Sequence, residues 1–387
     1  MSEDERSYVI VEGNSACESD THFPPKVEVR PDMSEISDEA KQGKRPTGFS
    51  GAEGWAVLFS ILVFIAGAAV FAAPGNTRIA ADGNAGAIED AISQAIPGST
   101  VIVQPGEYRI SSLEVPSDMT LYAPKGATVV GDIVARGPGT IIRGFTFVGG
   151  MIDISNSRSV SIGDCVFSGG TTAIKLDGAR GAQVINNEFR RVSGEVITGW
   201  GLDRSTISGN HFFDCGQCLN FAFNNDRTQG RDIVIERNIF AGTARMPVEV
   251  GPIGAYTENL ILRDNWAEDF KNRGPDPGDT MSTFVAYSIV PTYGVNTVIT
   301  GNYAIAGHQG PGDIGIELDG SGEIAGNHIE NFKYGAIVYG AGFNLHDNLF
   351  LKTTEAAVLN YAKRPGWIAR DGRMTSIARP PERRIWP

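Results

Sequence analysis

A six-residue figure with asparagine in its fourth place recurs along the chain, and few folds can absorb it. The copies are "VINNEF" (184–189), "ISGNHF" (207–212), "IERNIF" (235–240), "LRDNWA" (262–267), "ITGNYA" (299–304), "IAGNHI" (324–329) and "LHDNLF" (345–350). Two degenerate copies, "IRGFTF" (142–147) and "IGDCVF" (162–167), put Phe145 and Cys165 in the fourth place. Successive fourth places stand 20, 22, 23, 28, 27, 37, 25 and 21 residues apart. A repeat of this length, built from short apolar stretches with no helical run, makes one solenoid coil per copy.

Inside each copy, two apolar residues flank a bend of Gly-Asn, Asp-Asn or similar. Gly, Asn and Asp tolerate left-handed backbone, so the bend is a turn between two short strands. An inward Asn there can satisfy turn backbone that burial would otherwise orphan, and stacked coils align such residues into a ladder. A third strand follows each bend: "MIDIS" (151–155), "AIKLD" (173–177), "CLNFAF" (218–223), "PVEV" (247–250), "IGIELD" (314–319), "AIVY" (336–339) and "AVLNY" (357–361). Most alternate apolar with polar or small residues, the period of a strand with one buried face. Three strands per coil advancing one way predict an all-β chain, a parallel β-helix over residues 80–362. In "AIEDAISQAI" (87–96), Ile88, Ile92 and Ile96 recur at helical spacing, which predicts a short helix capping the open end of the stack.

The stretch "AIEDAISQAIPGSTVIVQPGEYRI", followed by Asn-bearing coils, resembles the right-handed parallel β-helix proteins of the pectin-lyase-like superfamily. The resemblance implies polysaccharide lyase, glycoside hydrolase, uronan C5-epimerase, tailspike or non-catalytic carbohydrate-binding roles, with substrate lying across the third-strand sheet. Specific signatures depart from the known types. "RMP" (245–247) matches the start of the Arg-x-Pro-x-x-Arg segment of pectate lyases, but Val250 holds the second Arg position. "GHQG" (307–310) only loosely echoes the Gly-His-Gly of polygalacturonases.

Upstream, residues 55–73 are 19 uncharged, mostly apolar residues, enough to span a bilayer as one helix. Lys41, Lys44 and Arg45 precede them and Arg78 is the first basic residue after, so the positive-inside rule puts the N-terminus in the cytoplasm. The expectation is a single-pass inner (plasma) membrane protein with its β-helix periplasmic or extracellular. A cleaved signal peptide is the rival, given the small residues of "VFAAPG". Residues 1–54 form an acidic tail expected to be disordered, and 363–387 a basic C-terminal tail. A net charge of -12 argues against nucleic acid as the main partner and leaves polysaccharide, with envelope assembly proteins as further candidates. Of four cysteines, Cys215 and Cys218 form "CGQC". On the exported side this is expected to be a small disulfide clip, with thiol redox chemistry the lesser alternative.

With Ile and Leu facing inward, alternation turns Asp153, Lys175, Asp177, Asn220, Glu249, Glu317 and Asp319 outward, and Glu195 less clearly. The four long intervals enclose loops around the middle coils, which would wall a groove there. Expected catalytic residues are Glu249, Glu317, Asp319, Lys175, Asp177, Arg245 and His308. Expected substrate-binding residues are Asp153, Asn220, Tyr287, Tyr293, Lys271 and Arg273. Coils about 4.8 Å apart would put Glu249 and Glu317, two coils apart, at roughly 9–10 Å, near the upper end of the separation used in inverting hydrolysis. β-Elimination or epimerisation of a uronate is the competing chemistry, drawing on the basic residues and the tyrosines as proton donors. Clustered carboxylates could also hold Ca²⁺.

Overall fold

In the computed structural model, the described residues are 77–80, 85–221, 230–250, 256–269, 283–287, 293–307, 311–339, 342–360, 367–370 and 373–376. The expected membrane segment 55–73 and the tail 1–54 lie outside them. Among the described residues, no helix is long and apolar enough to cross a membrane.

The chain winds into a parallel β-solenoid of about 11 turns. Every described pairing between coils is parallel, because each strand meets its equivalent one revolution later. Thr206–Ser208 pairs with Gln183–Ile185 behind and Val234–Glu236 ahead. His211–Phe213 does the same between Glu188–Arg190 and Ile239–Ala241. The third strands stack likewise, with Gln217–Phe221 between Glu195–Thr198 and Val248–Val250.

The solenoid begins earlier than the sequence suggests: Thr77–Ala80 already pairs with Thr100–Val103. The capping helix spans Ala85–Ser93. Ile88 and Ile92 are buried, but Ile96 lies beyond the helix and is 57% exposed. After Ser93 the chain turns, with Ser99 N–H donating to Ile96 O at 3.0 Å. In the C-terminal stretch, Trp367–Arg370 and Arg373–Ser376 form an antiparallel pair where a plain tail was expected.

The core holds two columns. In one, the Phe147, Phe167, Phe189, Phe212 and Phe240 rings stack face to face, with centroids 4.7–5.0 Å apart. All five are buried, each removing a large apolar side chain from water. In the other, Asn187, Asn210, Asn238, Asn265, Asn302, Asn327 and Asn348 form the expected ladder. Each Oδ1 accepts the backbone N–H of the equivalent residue one coil earlier, at 2.9–3.1 Å. Each amide nitrogen also donates to a first-strand carbonyl of that earlier coil, as Asn238 does to Ile207 O at 3.0 Å. The residue just before the ladder place has positive φ in every coil, from Gly144 and Asp164 through Arg237 to Asp347. The Gly, Asn and Asp at most of these places meet the demand cheaply.

A second left-handed column follows the third strands: Asp118, Gly139, Ser159, Gly181, Arg204, Asp232, Asn259 and Asn296. There Asn259 donates to Asp232 Oδ1 at 2.8 Å and Asn296 to Asn259 Oδ1 at 3.2 Å. This column lies just past each third strand, and positive-φ residues such as Arg191 and Asp214 lie just before theirs, so turns at both ends set which side chains share its outer face.

Candidate functional site

The third strands align one outward row in register: Asp153, Lys175, Thr198, Asn220, Glu249, Ala286, Glu317, Ile337 and Leu359. Five positions expected to face out fall on it. Glu249 and Glu317 are two coils apart, with Ala286 at the intervening position. At about 4.8 Å per coil this separates their backbones by roughly 9–10 Å. Tyr287 does not share the row; it is in register with Val250, which follows Phe221 in the neighbouring one. Tyr293 is not on a third strand. It opens the strand Tyr293–Thr300, in register with Tyr256, which leads into the Asn302 turn. Lys271, Arg273 and His308 lie outside the described residues.

The row's charges are engaged along its length. Arg136 pairs with Asp153 at 3.0 Å, and Lys175 with Asp177 at 3.1 Å. Burial pushes the Asp153 carboxyl up, but hydrogen bonds from Ser155 and Arg136 outweigh it and leave it below the usual range. Tyr339 Oη donates to Glu317 Oε1 at 2.8 Å. Asp319 stands just past the strand, where its carbonyl accepts Gly294 N–H at 2.8 Å.

The densest group lies in the middle coils. Gln217 Nε2 donates to Glu249 Oε2 at 2.5 Å, and Arg245 donates to Gln217 Oε1. Arg245 also pairs with Glu249 at 3.4 Å. Asn220 Nδ2 donates to Glu195 Oε1 at 3.4 Å. Glu249 is 4% exposed, and Gln217 and Asn220 are fully buried. The chain between strands delivers Arg245 through a turn in which Ala244 N–H donates to Cys215 O at 2.8 Å.

Glu195 was only weakly legible in the sequence because Val196 and Ile197 are both buried, which breaks the alternation. The structure pairs it with Gln217 in register, beside the Glu249 group. Burial raises the Glu195 carboxyl above its usual range. Arg245 draws it back down and Glu249 pushes it further up. A carboxyl raised above its usual range and a carboxyl paired with a guanidinium are thus brought together, the kind of unequal pair that acid–base chemistry uses.

The expected Cys215–Cys218 disulfide is absent: both are free, buried thiols. The reason is orientation. Cys215 Sγ turns to main-chain carbonyls, donating to Phe213 O at 3.3 Å and Phe189 O at 3.6 Å. Cys218 sits in a strand whose residues are all buried. Burial pushes the Cys215 thiol up to about 11 and raises Cys218 well above its ordinary value, which disfavours thiolate chemistry at neutral pH. For Ca²⁺, no group of three or more His, Cys, Asp or Glu among the described residues is arranged to hold a metal ion.

The family described as right handed beta helix region matches residues 134–365. The chain is a right-handed β-helix protein. No curated protein matches this β-helix protein in sequence. Among solved structures it is similar to PfbA, a surface adhesin of Streptococcus pneumoniae, at 14% identity and TM-score 0.54, covering 78% of this chain and 99% of that one. It is also similar to the tailspike of E. coli bacteriophage HK620, at 13% identity and TM-score 0.52, covering 71% and 59%. A family 28 exopolygalacturonase of Yersinia enterocolitica aligns at 11% identity and TM-score 0.46, covering 74% and 80%. At these identities the likeness is one of fold.

Proposed function

We propose that this β-helix protein binds a polysaccharide across its third-strand face and hydrolyses it there. Glu195 is the proton donor to the leaving oxygen, and Glu249 the base that activates water. Glu317, two coils beyond Glu249 on the same row, contacts a neighbouring sugar. One observation carries this reading: Glu195, Gln217, Asn220, Arg245 and Glu249 converge on one sheet face, with the Glu249 carboxylate buried and that of Glu195 half-buried. An outward strand face needs no buried carboxylates for solubility, and withdrawing them is costly unless they are paired.

The reading is tested by incubating the full-length protein with a panel of neutral and acidic polysaccharides while following reducing ends and ultraviolet absorbance together. Reducing ends without new absorbance support hydrolysis. New absorbance from unsaturated ends replaces it with a lyase. Binding without either product leaves a carbohydrate-binding protein. That second reading is favoured by one observation: Glu249 Oε2 already has two protein partners, Gln217 and Arg245.

We further propose that residues 55–73 tether the protein to the membrane with its β-helix exported, supported by the apolar run and the basic residues before it. Release of the protein from membranes by alkaline carbonate would overturn this.

A further inference from the structure

A cleft of about 250 Å³ opens at the second turn column, lined by Arg158, Ser159, Arg180, Gly181 and Arg204. Its cations come from consecutive revolutions. Arg158 bridges to Arg180, Arg180 to Asp203, and Asp203 to Arg231, all in parallel. All three lining arginines are exposed, so none of them is placed there to fill the core.

Their partners are unequal. Arg204 pairs with Asp203 at 3.1 Å, and Arg231 shares that carboxylate at 3.0 Å. Arg231 also faces the negative charges of Asp232 and Glu258. Among the described residues, Arg158 and Arg180 make no ion pair. Unbalanced positive charge is therefore concentrated on two neighbouring coils of a chain whose net charge is -12. Like charges on coils about 4.8 Å apart repel, and an anion between them relieves that repulsion.

The main chain does not supply the binding groups. Ser159 N–H donates to Arg180 O at 2.8 Å and Gly181 N–H to Asp203 O at 2.7 Å, so the turn amides are spent on the neighbouring coil. An occupant must be held by the side chains, and the planar guanidinium fork favours a carboxylate bound through two oxygens. Position favours a polymer. Arg158 and Arg180 each follow a row residue, Asp153 and Lys175, by five positions in their own coils. The cleft thus borders the downstream end of the third-strand face, and the row's own charges there are already neutralised by Arg136 and Asp177.

We propose that Arg158 and Arg180, assisted by Arg204, bind the carboxylates of an acidic polysaccharide as it lies across the adjoining sheet. The inference rests on the proposed polysaccharide function and deepens it by naming a uronate-bearing substrate class.

The test is titration calorimetry of the full-length protein with a galacturonate oligomer and with the same oligomer after its carboxyls are reduced to alcohols. The wild type is expected to bind the acidic oligomer at least about tenfold more tightly, the return from one or two charge-assisted bonds. Arg158→Ala with Arg180→Ala should erase that preference and leave the neutral oligomer's affinity unchanged. Arg158→Lys with Arg180→Lys should keep part of it, since point charge survives but the fork does not. Unchanged far-ultraviolet circular dichroism verifies that the variants fold. A preference intact in the double alanine variant overturns the inference. So does an equal loss toward a single-stranded DNA of matched charge, which would make the cleft a general polyanion site. If the neutral oligomer binds and carboxylates add nothing, this inference fails while the sheet site stands; if neither oligomer binds, both readings fail.

Discussion

Asn210 Oδ1 accepts both the backbone N–H of Asn187, at 2.9 Å, and its side-chain amide, at 3.0 Å. The relationship repeats one coil on, where Asn238 Oδ1 receives the same two donors from Asn210 at 2.9 and 3.0 Å. One side-chain oxygen thereby satisfies two buried donors of the coil before it.

Asn238→Ala should therefore destabilise the fold by about 2–4 kcal/mol, because it strands the buried N–H of Asn210 and removes several modest bonds. Denaturant unfolding measures this. A loss under about 1 kcal/mol would show that water replaces the amide.

Phe212 is fully buried between Phe189 and Phe240. Phe212→Ala should cost about 3–5 kcal/mol, and Phe212→Leu considerably less, since leucine fills most of the space. Equal losses in the two variants would mean that the ring stack matters beyond its volume.

Glu195→Gln and Glu249→Gln should each lower kcat by at least about 100-fold with the fold intact. In the wild type, kcat/KM should fall as pH rises through the raised pKa of Glu195, because the donor then loses its proton. Activity that continues to rise through that range would remove Glu195 from the role.

Stability should respond to pH with two signs. Asp203 is raised by burial but brought lower overall by Arg231 and Arg204, to below its ordinary 3.8; Asp153 behaves alike. A carboxylate whose folded pKa is depressed contributes stability above the unfolded value and loses it as pH falls through the folded one. Asp203→Asn should flatten the acid limb of a melting-temperature profile. Glu195, raised above its ordinary 4.5, contributes most below the unfolded value and loses its contribution as pH rises through the folded one. Glu195→Gln should thus gain on the wild type as pH rises above 4.5, and a variant that loses ground instead would contradict the partial burial of this carboxyl.

Cys165, Cys215 and Cys218 are free and buried, and burial raises Cys165 to about 12 and Cys215 to about 11. Alkylation without reductant should leave all three untouched in the native protein and modify all three after unfolding. Failure to alkylate Cys215 and Cys218 in the unfolded chain would restore the disulfide.

The ladder was legible because one amide type recurs where a turn needs it, and the outward row because Ile, Leu and Val alternate cleanly around Asp153, Lys175, Glu249 and Glu317. Where several residue types answer the same demand, the pattern dissolves. The second left-handed column draws on Ser159, Gly181, Arg204 and Asn259 alike, so neither it nor the cleft beside it repeats visibly. Glu195 was obscured by two consecutive buried residues. The cysteines misled for a related reason: spacing alone does not reveal that Cys215 turns to the carbonyl of Phe213.

The amide column also has a grain. Each Asn serves as acceptor for the main chain of the revolution before it, while its own main chain relies on the one after. Damage at Asn238 would leave Asn210 without its main-chain acceptor, whereas Asn265 keeps the main-chain donor of residue 238. Injury is passed toward the amino-terminal side, so unwinding started from the carboxyl-terminal end should run like a ladder in knitted cloth, with each released loop undoing the one beneath it.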